Sequence, residues 1–392
     1  MARVVVELRR SAITAARSAR SLAVATVRDM AAVRLGLAIA LAVAACGGPA
    51  ETGTAAGAAS EAPGAESGAA VELPAGDRIP GAGDTVVRTA DPVARGLSES
   101  DFPRVQRLAD GVYTYEQLRS AGDERFTTVS LFVVTPEGVL VADGQGSIDE
   151  TRRLIETIAA ITDRPVTHVV VCSDHGDHTA GNAAFPSDAV FFAHPASVAV
   201  LAAGAANPDR RPGSPGVVVP TETVTDRVEL VLGGVAIEIL FLGRAHTGGD
   251  LVIHVPAAGV LFMSEAYLNR VFPAMRSAYP REWVAMIERA QAMNARVYVP
   301  GHGFVESPVV LNEELETYRQ ALVRVIDEAT RLHSAGVPVE TAIEQANFGP
   351  LESWSLRSSQ ATIAIRRVYA ELNGELAHRR SSVDPLLLGV QQ

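Results

Sequence analysis

Ser173-Asp174-His175-Gly176-Asp177-His178-Thr179-Ala180-Gly181-Asn182 follows directly on Thr167-His168-Val169-Val170-Val171-Cys172. The second stretch is a short, apolar, β-branched run, the pattern of a strand buried on both faces. The first stretch is a polar loop with two imidazoles and a carboxylate within four residues, bracketed by glycine. A strand end that leads into such a loop holds side chains on a rigid scaffold, where binding and catalytic groups concentrate. Imidazole and carboxylate on such a loop are what an open metal site requires. Glycine lets the backbone come close without Cβ clashes.

Two further His have the same setting downstream. His246 lies in Gly243-Arg244-Ala245-His246-Thr247-Gly248-Gly249-Asp250, between two strand patterns. His302 lies in Val299-Pro300-Gly301-His302-Gly303, again straight after an apolar run. The other His differ in context. His168 sits inside the strand and reads as a core group or one that orients a ligand. His194 and His254 read as scaffold groups, and His333 and His378 as exposed helix residues.

Together the motifs resemble the metallo-β-lactamase superfamily. Its His-x-His-x-Asp-His loop, Gly-His-Thr-x-Gly turn, Leu-Phe-x-Gly-Asp segment and terminal Pro-Gly-His have counterparts in order over roughly residues 105–305. The resemblance implies an α/β fold, an αβ/βα four-layer metallo-β-lactamase sandwich with helices added at the C-terminus. It implies His175 and His246 as ligands of one metal ion and Asp177, His178 and His302 as ligands of another. Asp177 is also the expected catalytic carboxylate, and Asp143 an expected support of the metal loop.

This chain departs from the pattern at two positions. Ser173 stands where the family has its first His, and Glu265, in Leu261-Phe262-Met263-Ser264-Glu265, where it has a metal-bridging Asp. A neutral hydroxyl is a weak zinc ligand. The Asp177/His178/His302 group is therefore expected to hold metal more tightly, with Glu265 bridging and Ser173 behind the ligands. The expected cofactor is zinc, one or two ions, with iron and manganese as alternatives. Tyr267, Asn269, Arg270 and Arg276, between Glu265 and the helix expected over 281–293, are candidates for binding the substrate. The implied activity is hydrolysis of a small ester, lactone, amide or sulfate-type substrate, β-lactams included, by water activated at the metal. The alternative is a metal-binding or degenerate lipoprotein without catalysis on the same fold.

The rest of the chain sets the context. Its 392 residues are 47% hydrophobic and 20% charged, ordinary for a large buried core and incompatible with disorder throughout. There is no Lys, and the net charge of −11 argues against nucleic acid as partner. Residues 1–45 carry seven Arg and two acids, then an apolar run from Leu35 to Ala45, followed by Cys46. That order reads as a signal segment, too short in its apolar part to span a bilayer. The Cys after Ala44-Ala45 resembles the lipobox of bacterial lipoproteins, which implies lipidation of Cys46. Met30 fits as the true start, with residues 1–29 upstream of it.

Residues 46–86, rich in Gly, Ala, Ser and Pro, read as a disordered tether. The expected location is the bacterial cell envelope, with the membrane touched through the lipid anchor alone. Residues 87–308 form the expected catalytic domain, 309–380 a helical extension packed on it, and 381–392 a loose tail. Nothing in the sequence demands a partner protein. With Cys46 lipidated, Cys172 is left as a lone buried thiol.

Overall fold

The computed structural model describes residues 87–209 and 216–376. The signal segment, Cys46, the tether, His378 and the tail lie outside the described residues. No helix among the described residues is long and apolar enough to cross a membrane.

Two mixed sheets form the centre. The first contains β1 (Arg104–Ala109), β2 (Val112–Ala121), β3 (Glu124–Thr135), β4 (Gly138–Ala142), β5 (Val166–Val171), β6 (Val190–Ala193) and β7 (Glu222–Thr223), neighbours in that order. β1 to β4 pair antiparallel, and β4 to β7 pair parallel. The second sheet has the order β12 (Val297–Val299), β11 (Val260–Phe262), β10 (Val252–Val255), β9 (Val235–Leu240), β8 (Arg227–Leu232), with only β11 and β12 parallel.

The layers follow from period-2 alternation. Leu131, Val133, Leu140, Ala142, Val170 and Cys172 point inward and pack with Ile237, Ile239, Val252 and Phe262 of the second sheet. Their neighbours Phe132, Val139, Val141, Val169 and Val171 point outward onto Leu154 and Ile158 of α1 (Ile148–Ile161) and Leu201 of α2 (Pro195–Ala206). Helix α1 starts where Ser147 Oγ accepts from Glu150 N at 3.2 Å, an N-cap.

α3 (Pro280–Ala292), α4 (Pro308–Ser334), α5 (Val339–Gln345) and α6 (Arg357–Leu372) join the core that contains the second sheet. Leu311, Leu315, Tyr318, Leu322 and Val325 fall on one face of α4 and are all buried there. The expected αβ/βα four-layer sandwich with added C-terminal helices is thus the architecture found.

The sequence pattern misses β1 and half of the β2–β3 hairpin, which pairs as far as Ala121 and Glu124. Arg104, Gln106, Glu116 and Gln117 hide it, because these strands carry polar groups into the interior. Gln106 and Glu116 are fully buried and hydrogen-bonded to each other at 3.0 Å. His168 is also placed differently from one of its readings. It is half-buried in β5, with Nδ1 at 2.9 Å from Thr167 Oγ1 and its ring stacked on Phe192, and it orients no candidate ligand.

Candidate metal centre

All six expected ligands meet at one edge of the two sheets. β5 ends, His175 follows in extended conformation, and one helical turn, Gly176–Thr179, carries Asp177 and His178. His246 comes from the loop between β9 and β10. Glu265 sits on the short turn Ser264–Ala266 after β11, and His302 on the loop after β12. Asp250 shapes the His246 loop by accepting from Thr247 N at 2.7 Å and Thr247 Oγ1 at 3.0 Å.

The ligand atoms form two groups that share Glu265. Asp177, His178, Glu265 and His302 make one, and His175, His246 and Glu265 the other, with atoms in each group within 4.8 Å of one another. His302 Nε2 stands 3.3 Å from Asp177 Oδ2 and 3.3 Å from Glu265 Oε1. His175 Nδ1 stands 3.1 Å from Glu265 Oε2, and His246 Nε2 stands 3.2 Å from Glu265 Oε1. Ser173 is buried beside them and its Oγ donates to Glu265 Oε2.

Groups behind the rings aim them. His302 Nδ1 donates to the Thr127 carbonyl at 2.8 Å, and His178 Nδ1 stands 3.1 Å from Asp143 Oδ2. His175 Nε2 meets Ser277 Oγ at 3.4 Å, which leaves Nδ1 facing inward. The edge of Trp283 packs on His246 with ring centroids 5.1 Å apart, and Trp283 Nε1 donates to the Ala266 carbonyl. Such partners orient the ligands of a metal and set their tautomers.

The electrostatics match a cation site. Burial alone would lower the His175 and His302 pKa values, but neighbouring carboxylates, Glu265 for both and Asp177 for both, raise them to about 10. Burial pushes Glu265 up, yet His175, His246 and His178 hold it well below the usual carboxylate range. Burial likewise pushes Asp177 up, while His302 and His178 win and lower it. Burial lowers His246. Burial raises Asp250 to about 7.

The residues fit a metal ion. Imidazole nitrogens face one another in pairs, His178 with His302 at 3.4 Å and His175 with His246 at 3.0 Å. Two such nitrogens share at most one proton, whereas a cation between them would satisfy both lone pairs. Neutral imidazole with carboxylate oxygen is a zinc donor set.

Asp143 Oδ1 accepts from Cys172 N at 2.7 Å, just before the His175 loop, and Cys172 is a free, fully buried thiol. His194 caps α2 through Ala196 N, and His254 pairs with Glu238 at 2.7 Å, both scaffold roles. The expected substrate residues separate. Tyr267 is fully buried and its hydroxyl donates to the Leu311 carbonyl, Asn269 Nδ2 donates to the Phe304 carbonyl, and the Arg270 guanidinium is paired with Glu314. Their polar groups tie the C-terminal helices and the His302 loop together. Arg276 is exposed. Ser277, Trp283 and Thr127 escape sequence reading, since none stands in a motif that marks it.

The chain is similar to known proteins over part of its length. Residues 123–302 match the family model described as the Metallo-beta-lactamase superfamily. A linear primary-alkylsulfatase of Pseudomonas sp. (strain ATCC 19151) is 22% identical over 303 residues, 65% of this chain and 57% of that protein's own length. A metallo-beta-lactamase type 2 of Bacillus sp. (strain 170) is 25% identical over 226 residues, 56% of this chain and 83% of its own. A solved metallo-beta-lactamase from Pontibacter korlensis superposes with a TM-score of 0.49 at 21% identity, covering 56% of this chain and 98% of that one. With the four motifs and the fold that joins them, residues 123–302 form a metallo-beta-lactamase superfamily domain.

Proposed function

We propose that the chain is a metal-dependent hydrolase acting on a small ester, lactone, amide or sulfate-type substrate. One observation carries this reading: two groups of ligand atoms that share a single carboxylate, Glu265. A bound metal ion supplies a Lewis acid and brings the ionisation of water toward neutral pH.

The residues around it divide the remaining work. His178, Glu265, His246 and His302 side chains are 6% exposed or less, while His175 and Asp177 are 23% and 24% exposed. The centre therefore opens to solvent on the His175 and Asp177 side. Asp177 is held ionised by His302 and His178 against the effect of burial. It can orient a water molecule and accept its proton, the role expected of a general base. Thr127, Asp143 and Ser277 keep the imidazoles aimed inward throughout.

Sulfate esters rank ahead of β-lactams as substrates. The alkylsulfatase match covers 65% of this chain, against 56% for the β-lactamase. The envelope location, with Cys46 lipidated, and zinc as the metal are part of the same proposal. The test is metal content per chain by mass spectrometry, followed by turnover of alkyl sulfates, carboxylic esters, lactones and β-lactams by wild type and His302→Ala. Turnover that needs both metal and His302 supports the reading. Metal bound with no turnover across the panel favours a non-catalytic metal-binding protein.

A further inference from the structure

Ser173 and Glu265 lie 92 residues apart in the chain and touch in the interior, hydroxyl to carboxylate. Asp143 ties together the two segments that carry them. Its Oδ1 accepts from Cys172 N at 2.7 Å and from Ser173 N at 3.4 Å, and its Oδ2 accepts from Ser264 Oγ. Asp143 and Ser264 are fully buried. The gap between positions 173 and 265 is therefore set by the scaffold, and two side chains must fill it jointly.

Here a short side chain at 173 meets a long one at 265. Glu265 crosses the gap and puts Oε2 at 3.1 Å from His175 Nδ1 and Oε1 at 3.2 Å from His246 Nε2. The same Oε1 stays 3.3 Å from His302 Nε2, in the other ligand group. One methylene adds about 1.5 Å of reach. An imidazole at 173, which the resembled motif carries, would compete for the space that the Glu265 carboxylate occupies.

We infer that Ser173 and Glu265 form a coupled exchange. Glu265, steadied by the Ser173 hydroxyl, takes the ligand place that an imidazole at 173 would fill, so that His175, His246 and Glu265 form a complete three-ligand site for a second divalent cation. Ser173 is a positioning residue and not itself a ligand. This inference rests on the metal-centre reading and is independent of which bond is hydrolysed.

The test is a zinc titration of the full chain, stripped of metal, against a chromophoric chelator, with cobalt(II) absorption as a second readout. Wild type is expected to bind two ions. Ser173→Ala, which keeps the volume small, is expected to weaken one ion about 10-fold or more and to leave the other within about 3-fold, the scale of one hydrogen bond to a charged group. Ser173→His and Glu265→Asp each lose the second ion, and Ser173→His/Glu265→Asp regains it. The retained first ion shows that each variant is folded.

A wild type that binds one ion overturns the inference. So does Ser173→Ala with two ions at wild-type affinity, or a double variant whose losses are the sum of the two singles. Two ions bound without turnover of any ester, sulfate or lactam defeats the hydrolase reading alone and leaves the coupled exchange standing.

Discussion

His178 and His302 meet Nε2 to Nε2 at 3.4 Å, although 124 residues separate them in the chain. Each ring is pinned from behind, His178 by Asp143 and His302 by the Thr127 carbonyl. Turning either Nε2 away would break the contact behind its ring. A divalent cation between them would resolve the encounter and would link metal binding to fold stability.

The first prediction follows from that linkage. Zinc at about 100 times its dissociation constant should stabilise the chain by about 2.7 kcal/mol. For a domain of this size the melting temperature should rise by roughly 5–10 °C. His178→Ala and His302→Ala should lose the ion of the group that contains Asp177 and show a smaller rise, because His175, His246 and Glu265 remain. Differential scanning calorimetry with and without chelator measures it, and a rise in His302→Ala as large as in wild type would contradict the assignment.

Asp143 should prove to be the costliest acid near the centre to remove. It takes hydrogen bonds from Cys172 N, Ser173 N and Ser264 Oγ and faces His178, all in the interior, with its own φ at +61°. Asn tolerates that backbone and keeps an acceptor, so Asp143→Asn should cost about 1.5–3 kcal/mol. Asp143→Ala strands several donors and adds backbone strain, for about 3–5 kcal/mol. Denaturant unfolding of the metal-free proteins should rank them in that order; equal losses would mean that the charge and its acceptors do not matter.

Gly303 offers a test that touches no ligand. Its φ is +84°, and a Cβ there would overlap the Asn269 carbonyl. Asn269 N in turn donates to the His302 carbonyl at 2.9 Å. Gly303→Ala should therefore move His302 and reduce both soluble yield and metal per chain, although every ligand side chain remains. Wild-type metal content in a soluble Gly303→Ala protein would show that the loop has slack the packing does not suggest.

A pH effect should come from outside the centre, at Glu116. Its carboxylate is fully buried and accepts from Val305 N at 2.9 Å, Gln106 Nε2 at 3.0 Å and Arg104 at 3.1 Å. Burial pushes its pKa up to about 7 from 4.5, and Arg104 and Val305 N only partly oppose this. The folded chain thus holds this proton more tightly than the unfolded one. Its contribution to stability is full below pH 4.5, declines as pH rises toward 7, and is lost above, for a total of about 3 kcal/mol. Glu116→Gln removes that slope. The difference in unfolding free energy between variant and wild type should move in the variant's favour by about that amount from pH 4.5 to 8, and a flat difference would rule the mechanism out.

The chain's own pattern determined the candidate ligands and the frame that carries them. His175, Asp177, His178, His246 and His302 were legible because each stands beside a strand end in a local stretch of apolar residues, glycine and turn. The inner strands were legible for the same reason, since alternating burial writes period 2 into the sequence. β1 and the tip of the β2–β3 hairpin were not, because Gln106 and Glu116 break that alternation and find their partners only in the fold. The tertiary structure alone decided that Glu265 belongs to both ligand groups, that Ser173 and Asp143 set its position, and that Tyr267, Asn269 and Arg270 are occupied by the C-terminal helices and the His302 loop. Each of these is a contact between side chains distant in sequence. Periodicity records which way a residue faces, whereas the group it meets there depends on how the two sheets and the helices pack.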